Sequence, residues 1–418
     1  MDHFAYRDGV LHAEDVPLPR IADEVGTPVY VYSQATLERH ARVFQDAVAA
    51  AGRVEVAFAV KANPNLAVLR VLANAGMGAD VVSGGELLRA LTAGVPAERI
   101  VFSGVGKTQA EMRQGLDANI GQFNVESEEE GVELSALAAA LGRRVPTALR
   151  VNPDVDAHTH AKISTGKREN KFGVPIDLAP AIYARLAALP GLAMRGVAVH
   201  IGSQIGELAP LHAAYERVGA LLAELRAGGC TVTHVDLGGG LGVRYKPDDN
   251  PPSPHEFGQM VARVTKGWDA TLMFEPGRVV VGNAGVLLTR VIRVKPGVQA
   301  PFVVVDAAMN DLARPALYDA YHHFEPVLSG NATATVNIVG PVCESGDTFA
   351  MGRDAGRVTP GDLAVFRTAG AYGATMASTY NSRDLVPEVL VKGENYAVVA
   401  DRISAAQVMA AEHVPAWL

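Results

Sequence analysis

Reactive side chains recur in this chain at one kind of place, just after a short apolar run. Lys61 follows AFAV in FAVKANPN, and Asp80 and Ser83 stand in GADVVSG. Arg150 and Asn152 lie in TALRVNP, His200 ends GVAVH, Gly238, Gly239 and Gly240 follow HVDL, and Glu275 ends TLMFE. A lysine in such a position either emerges into solvent or is buried, where desolvation disfavours its charged form and leaves a nucleophile. Successive glycines let backbone N–H groups approach an anion unobstructed, although alone they also read as a flexible turn. His200 could stack on a planar ring, act as a base, or satisfy a buried hydrogen bond. A buried Glu275 would need a cation or hydrogen bonds; Arg278 is one partner and a protonated ring nitrogen of a ligand is another. No His or Cys spacing suggests a metal site.

These residues need elements to hold them at one rim. Eight β-rich runs lie between residues 54 and 277: VEVAFAV, GADVVSG, IVFSG, GQFNVES, TALRVNP, GVAVHIG, HVDLGGG and TLMFEPG. Several are nearly continuous Val, Ile, Leu and Ala, the pattern of parallel strands buried on both faces. Helical segments such as LAVLRVLANAG, GELLRALTAG and LHAAYERVGALLAELRAGG separate most of them, the last ending in a Gly-Gly stop. This alternation predicts an α/β chain with a (β/α)8 TIM barrel in preference to a doubly wound open sheet. A barrel collects reactive groups at its strand C-termini and phosphate at the loops after strands seven and eight, here Gly238 to Gly240 and Pro276, Gly277 and Arg278. QATLERHARVFQDAVAAAG is expected to cover the barrel's bottom. KISTGKRENKFG, residues 162–173, is polar and long, and reads as a functional loop and a lid over the substrate.

Beyond Gly277 the pattern turns to strands and turns. VGNAGVLLTRVIRVKPG, PFVVVDAAMN, TATVNIVGP, DLAVFRTAGAY and EVLVKGENYAVVADRI predict a mostly antiparallel β-barrel or β-sandwich domain. DGVLHAEDV near the start is expected to add a strand. The domain boundaries so read are residues 28–277 for the barrel and residues 1–27 plus 278–418 for the β domain.

Bulk properties agree with this plan. The 418 residues exceed what one core usually holds. A net charge of −8 argues against nucleic-acid binding, and no uninterrupted apolar stretch suits a membrane span. MDHFAYRDGVLHAEDVPLP does not read as a secretory signal. Two cysteines, Cys230 and Cys343, make no disulfide framework and suit a reducing cytoplasm.

Taken together, FAVKANPN, GADVVSGGEL, HIGSQ, DLGGGLG, EPGR, GPVCESGD and AYG resemble the fold-type III pyridoxal-phosphate decarboxylases, in particular the branch acting on diaminopimelate. The resemblance runs from PVYVY at 28–32 to the last strands. It implies pyridoxal 5′-phosphate as cofactor and a homodimer with shared active sites. Lys61 would bond covalently to the cofactor, His200 would stack on its ring, and Glu275 would pair with its nitrogen. Ser203, Gly240 and Tyr372 would contact the phosphate, with Gly239, Pro276, Gly277 and Arg278 lining the same site. Asp80 and Arg150 would support this shell. Cys343 and Glu344 would reach the partner subunit's cofactor, while Arg278, Arg314, Tyr318, Glu344 and Tyr372 would bind substrate. Departures are local: Val279 stands where the family often has serine, and DLVPEVLV lacks the usual extra prolines and arginine.

The implied reaction is loss of CO2 from meso-2,6-diaminopimelate to give L-lysine, the last step of lysine biosynthesis. Its acid is Cys343, or alternatively Lys61. A diacid substrate needs a cation for its far carboxylate and an acid for its far ammonium, because an unpaired buried charge costs several kcal/mol. On the resemblance, Arg278, Arg314 and Tyr318 would bind the far carboxylate, the arginines as its cations, and Glu344 the far ammonium. Rival readings are a decarboxylase of ornithine, arginine or carboxynorspermidine, a racemase of similar fold, and an inactive homologue that binds a partner.

Overall fold

The computed structural model describes residues 2–157, 166, 171–330 and 332–418. Most of the segment expected to act as a lid, residues 162–165 and 167–170, lies outside the described residues. The chain divides into two compact units, residues 38–244 with 250–280, and residues 1–37 with 245–249 and 281–418.

The first unit is an eight-stranded parallel barrel. Its strands are β1 (Val54–Ala59), β2 (Gly78–Val81), β3 (Ile100–Phe102), β4 (Gln122–Val125), β5 (Val145–Asn152), β6 (Leu192–Val199), β7 (His234–Asp236) and β8 (Thr271–Phe274). β8 pairs with β1 and β5 pairs with both β4 and β6, so the ring closes with no free edge. β2, β3 and β4 are buried at every residue, their few polar side chains (Asp80, Gln122, Asn124) included, as strands enclosed on both faces must be. All eight expected runs form strands. Helices between them start where the sequence offers caps. Ser83 Oγ accepts from Glu86 N at 3.2 Å, so Ser83 caps the helix Gly84–Thr92.

The helix Gln34–Ala49 does not lie under the barrel. Gln45 Nε2 donates to Ala75 O at 3.1 Å, just past the helix Leu66–Asn74. A Cβ on Gly258 of the helix Pro254–Val264 would fall 1.9 Å from Ala47 O. Phe44 sits 6.2 Å from the ring of Phe274 on β8 and 6.0 Å from Phe257. Residues 38–49 thus fill the position of an eighth outer helix, because the helix after β8, Arg278–Val281, has only four residues.

The second unit contains a nine-stranded sheet and a three-stranded one. Its long central strand Gly285–Lys295 pairs antiparallel with Phe302–Val305, Leu363–Phe366 and Val29–Ser33. Val29–Ser33 also pairs parallel with Glu388–Lys392. PVYVY, expected inside a barrel region starting at residue 28, is therefore a strand of this sheet. Its alternation of apolar and aromatic residues suits either setting, and only the long-range partners decide. The divisions accordingly fall near residues 37 and 280. The expected N-terminal strand forms a separate sheet instead, Phe4–Arg7, Val10–Ala13 and Val16–Pro17, with one bridge from Val10 to Leu328. Leu11, Ala13, Val16 and Leu18 bury against Val31, Val286, Val365 and Val389. The strand Thr348–Gly356 was not legible, since TFAMGRDAG mixes charge and glycine into its apolar pattern.

Phe44 is 2% exposed and packs on two further aromatic rings. Phe44→Ala is expected to lower unfolding free energy by about 3–5 kcal/mol, read from chemical denaturation midpoints.

Candidate functional site

Strand direction brings most of the sequence-predicted residues to the C-terminal rim of the barrel. Lys61 lies in the turn Val60–Ala62 directly after β1. Its side chain is 37% exposed and its Nζ stands 2.7 Å from Oδ2 of fully buried Asp80 on β2. The amine emerges and is ion-paired, rather than being buried in apolar surroundings. Asp80 Oδ1 has no hydrogen-bond partner among the described residues, so the carboxylate keeps an acceptor in reserve. Glu86 Oε2 accepts from Val82 N at 2.9 Å. Burial, with Asp80 adding to it, pushes its carboxyl up to about 7.

His200 follows β6. Its Nδ1 accepts from Gly239 N at 3.3 Å, which puts its proton on Nε2. Burial lowers its pKa well below the usual imidazole range, and the charges of Arg150 and Lys61 lower it further. The ring is neutral and flat. Arg150 on β5 donates from Nη1 to Glu126 Oε1 at 2.7 Å and lies 4.8 Å from the centre of the Phe172 ring. Glu126 also accepts from Gly104 N at 2.8 Å and Gly173 N at 3.1 Å. Sequence reading missed Glu126, though it follows β4 at the same kind of position as Glu275 after β8.

The loops after β6, β7 and β8 are knitted together. Ile205 N donates to Gly240 O at 2.9 Å, and Gly242 N to Ile205 O at 3.0 Å. Gly240 has φ +109°, and a Cβ there would lie 2.4 Å from Gly202 O, so only glycine fits. A Cβ on Gly239 would meet Glu275 O at 2.2 Å. Pro276 O accepts from Ala59 N at 3.1 Å, tying the β8 loop to β1. Arg278 is buried and donates from Nη2 to Ser203 Oγ at 3.0 Å. The N–H groups of Gly240 and Gly277 bond to no backbone carbonyl among the described residues. They are backbone donors available to an anion at these loops.

Glu275 directly follows β8 and is 9% exposed. Its neighbours are not Arg278 but Ser103, whose Oγ donates to Oε1 at a long 3.4 Å, and the carboxylate of Asp236, whose negative charge acts on it. Burial raises the Glu275 carboxyl well above the ordinary range; the negative charges of Asp236 and Asp80 add to this and Lys61 partly offsets it. Asp236 is raised as well, burial being the main cause.

Arg314, Tyr318, Cys343, Glu344 and Tyr372 belong to the other unit. Arg314 is 6% exposed, not a solvated surface cation. It lies 2.8 Å from His322 Nε2 and 4.7 Å from the Tyr245 ring centre, and Tyr245 in turn stands edge-on to His322. Tyr318 closes the same short helix, Arg314–Tyr318, and is half-buried. Cys343 and Glu344 are exposed on the turn between the strands Thr333–Val339 and Thr348–Gly356. Buried Asp347 shapes that turn by accepting from Met309 N and Val342 N, both at 2.7 Å. Tyr372 holds φ +55°, a costly conformation for a tyrosine and a mark of a constrained site.

Residues 34–282 match the family model described as pyridoxal-dependent decarboxylase, pyridoxal binding domain. The chain is 53% identical over 418 residues to a diaminopimelate decarboxylase of Zymomonas mobilis subsp. mobilis, covering 99% of each chain. It is 50% identical over 413 residues to that of Pseudomonas aeruginosa, again covering 99% of each. Among solved structures, diaminopimelate decarboxylase from M. jannaschii in co-complex with L-lysine superposes with a TM-score of 0.96 at 35% identity, covering 100% of this chain and 99% of that one. The enzyme from Helicobacter pylori complexed with L-lysine gives a TM-score of 0.90 at 36% identity, covering 94% and 98%.

The position of Glu86 beside Asp80 sets a pH dependence. Its folded-state pKa of about 7 lies above the ordinary value of 4.5, so the folded chain holds this proton more tightly. The associated stability is complete below the unfolded pKa and is lost as pH rises through about 7. Glu86→Gln should therefore become progressively more stable relative to the parent as pH rises from about 4.5 to 7, measured by thermal melting across that range.

Proposed function

This chain belongs to the diaminopimelate decarboxylases within the pyridoxal-dependent decarboxylase family, and on that premise we propose how its own residues carry out the reaction. The enzyme is a carboxy-lyase that converts meso-2,6-diaminopimelate to L-lysine and CO2. The observation that carries this is identity at 53% of positions along 418 residues with an enzyme of that name.

The barrel rim fits pyridoxal 5′-phosphate. It offers an exposed amine at Lys61, a neutral flat ring at His200, a buried acid at Glu275 and backbone donors at Gly240 and Gly277. When bound, that cofactor supplies the electron sink for the pair left behind as the carboxylate departs. Lys61 is the nucleophile, and Asp80 orients its amine and accepts its protons. His200 would stack on the bound ring, with Gly239 fixing its tautomer. Glu275 would hold the proton at the ring nitrogen, which an arginine in that place could not do. Gly239, Gly240, Pro276, Gly277, Arg278, Ser203 and Tyr372 would hold the phosphate, and Arg150 supports the rim through Glu126. Arg278, Arg314 and Tyr318 bind the distal carboxylate; Glu344 binds the distal ammonium, and Tyr372 also contacts substrate. Cys343 delivers the proton to the α carbon.

The enzyme acts as a homodimer in the cytoplasm. Exposure of Cys343 and Glu344 on a rigidly held turn supports a role completed by a second copy, and both cysteines being free suits a reducing compartment. No helix among the described residues is long and apolar enough to cross a membrane.

CO2 release measured in parallel with meso-diaminopimelate, L-ornithine, L-lysine and L-arginine should be confined to the first. Preferential release from ornithine or arginine would sink the substrate assignment. Lys61→Ala is expected to lose the yellow colour of cofactor-loaded protein together with turnover, whereas a retained colour removes Lys61 from its role. Arg314→Ala should raise KM about 10–150-fold, from losing a charge-assisted contact worth about 1.5–3 kcal/mol. An unchanged KM takes Arg314 out of the substrate site.

A further inference from the structure

Beneath the rim, a chain of hydrogen bonds crosses the barrel interior. Arg195 Nε, on β6, donates to Gln122 Oε1 at 2.9 Å. Gln122 Nε2 donates to Asn124 Oδ1 at 2.7 Å. Asn124 Nδ2 donates to Asp236 Oδ2 at 2.8 Å and to Ser103 Oγ at 3.1 Å. Ser103 Oγ then donates to Glu275 Oε1 at 3.4 Å. Gln122, Asn124 and Asp236 are all at most 2% exposed. Gln122 and Asn124 are two apart on β4 and so point to the same, inner face.

The direction of this chain is fixed at one end. Arginine has only donors, so the oxygen of Gln122 must face Arg195 and its NH2 must face Asn124. Asn124 must then turn its oxygen to Gln122 and its NH2 to Asp236 and Ser103. Neither amide can flip without setting donor against donor. Asp236 ends as a pure acceptor, taking a second N–H from Gly238 N at 2.9 Å. Among the described residues Glu275 receives a hydrogen bond only from Ser103, and a long one. Two good donors stabilise an ionised Asp236, so a proton shared by the pair resides on Glu275.

We infer that Asp236 is a positioning residue for Glu275: the relay from Arg195 through Gln122 and Asn124 keeps Asp236 ionised and stores on Glu275 the proton that a bound ring nitrogen takes up. The inference rests on the reading of Glu275 as the ring-nitrogen partner. The step balances within the site. The nitrogen lone pair forms an N–H bond as the Glu275 O–H bond breaks, leaving a ring cation against two carboxylates. The charge of ring plus pair stays at one negative, and solvent supplies no proton. Besides each other, Glu275 and Asp236 face Asp80, and Glu275 also faces Lys61. Those two groups already form an ion pair, so the relay is what distinguishes Asp236 from Glu275.

The test begins with cofactor-free protein carrying 13C-carboxyl glutamate, its Glu275 resonance assigned by Glu275→Gln. The midpoint of that resonance should lie above the ordinary glutamate range, and Asp236→Asn should lower it by at least about one pH unit. Gln122→Glu supplies an independent arm that touches neither carboxyl. It still accepts from Arg195 but cannot donate to Asn124, whose amide then turns its oxygen toward Asp236. The proton should move to Asp236, leaving the Glu275 resonance ionised at neutral pH. A Glu275 resonance ionised at neutral pH in the parent, or a midpoint unmoved in both variants, overturns the inference. Calorimetry at neutral pH in buffers of different ionisation heat then counts protons as 3-O-methylpyridoxine 5′-phosphate binds the parent protein; this probe has no aldehyde for Lys61, and with its phenol blocked its free ring nitrogen is unprotonated. No proton should be drawn for the ring, and uptake of about one per site overturns the storage role. If the resonance behaves as expected while Glu275→Gln binds this probe as tightly as the parent, the fault lies in the reading of Glu275 as ring partner.

Discussion

Carboxyl groups buried side by side in low dielectric cannot all be charged, and a parallel barrel concentrates them. Every strand ends at the same rim, so the polar residue that terminates each apolar run arrives within reach of the others. Asp80, Glu86, Glu126, Asp236 and Glu275 meet this crowding in different ways. Glu126 is satisfied by Arg150 and two backbone N–H groups. Asp80 is matched by Lys61. Glu86, with one backbone donor, is pushed up to about 7, and burial raises Glu275 well above the ordinary carboxylate range. The chemical roles proposed for the rim follow from how many donors each acid receives, more than from residue type.

The second unit solves a related problem for a cation. Arg314 is removed from water by Tyr245 and His322, which leaves its planar guanidinium stacked and oriented instead of mobile. The turn carrying Cys343 and Glu344 is exposed yet fixed from below by Asp347, so ordered geometry and access coexist. A Cβ at Gly340 would fall 2.3 Å from the Asp347 carboxylate, which explains why the GPVCESGD segment opens with glycine.

Much of this was legible in the sequence. The barrel strands announced themselves because strands buried on both faces must be apolar at nearly every residue, and the first polar residue then marks the rim. Lys61, His200 and Glu275 could be picked out on that ground alone. Arg314, Tyr318, Cys343 and Tyr372 could not, and entered only through resemblance. Val29–Ser33 was grouped with the wrong neighbours because its own composition does not name its partners, Gly285–Lys295 and Glu388–Lys392. Asp236, Gln122 and Asn124 lay within expected strands but were given no role. Their meaning lies in contacts as distant as 112 positions along the chain, to which no local pattern is sensitive.

The helix Gln34–Ala49 gives the barrel an unusual dependence on chain order. The gap beside its final strand is sealed by a segment made more than two hundred residues earlier, through Phe44 against Phe257 and Phe274. As the chain leaves the ribosome, that segment must wait, its apolar stripe uncovered, until β8 emerges to receive it. Closure of the ring is thus a non-local event that joins two distant parts of the chain.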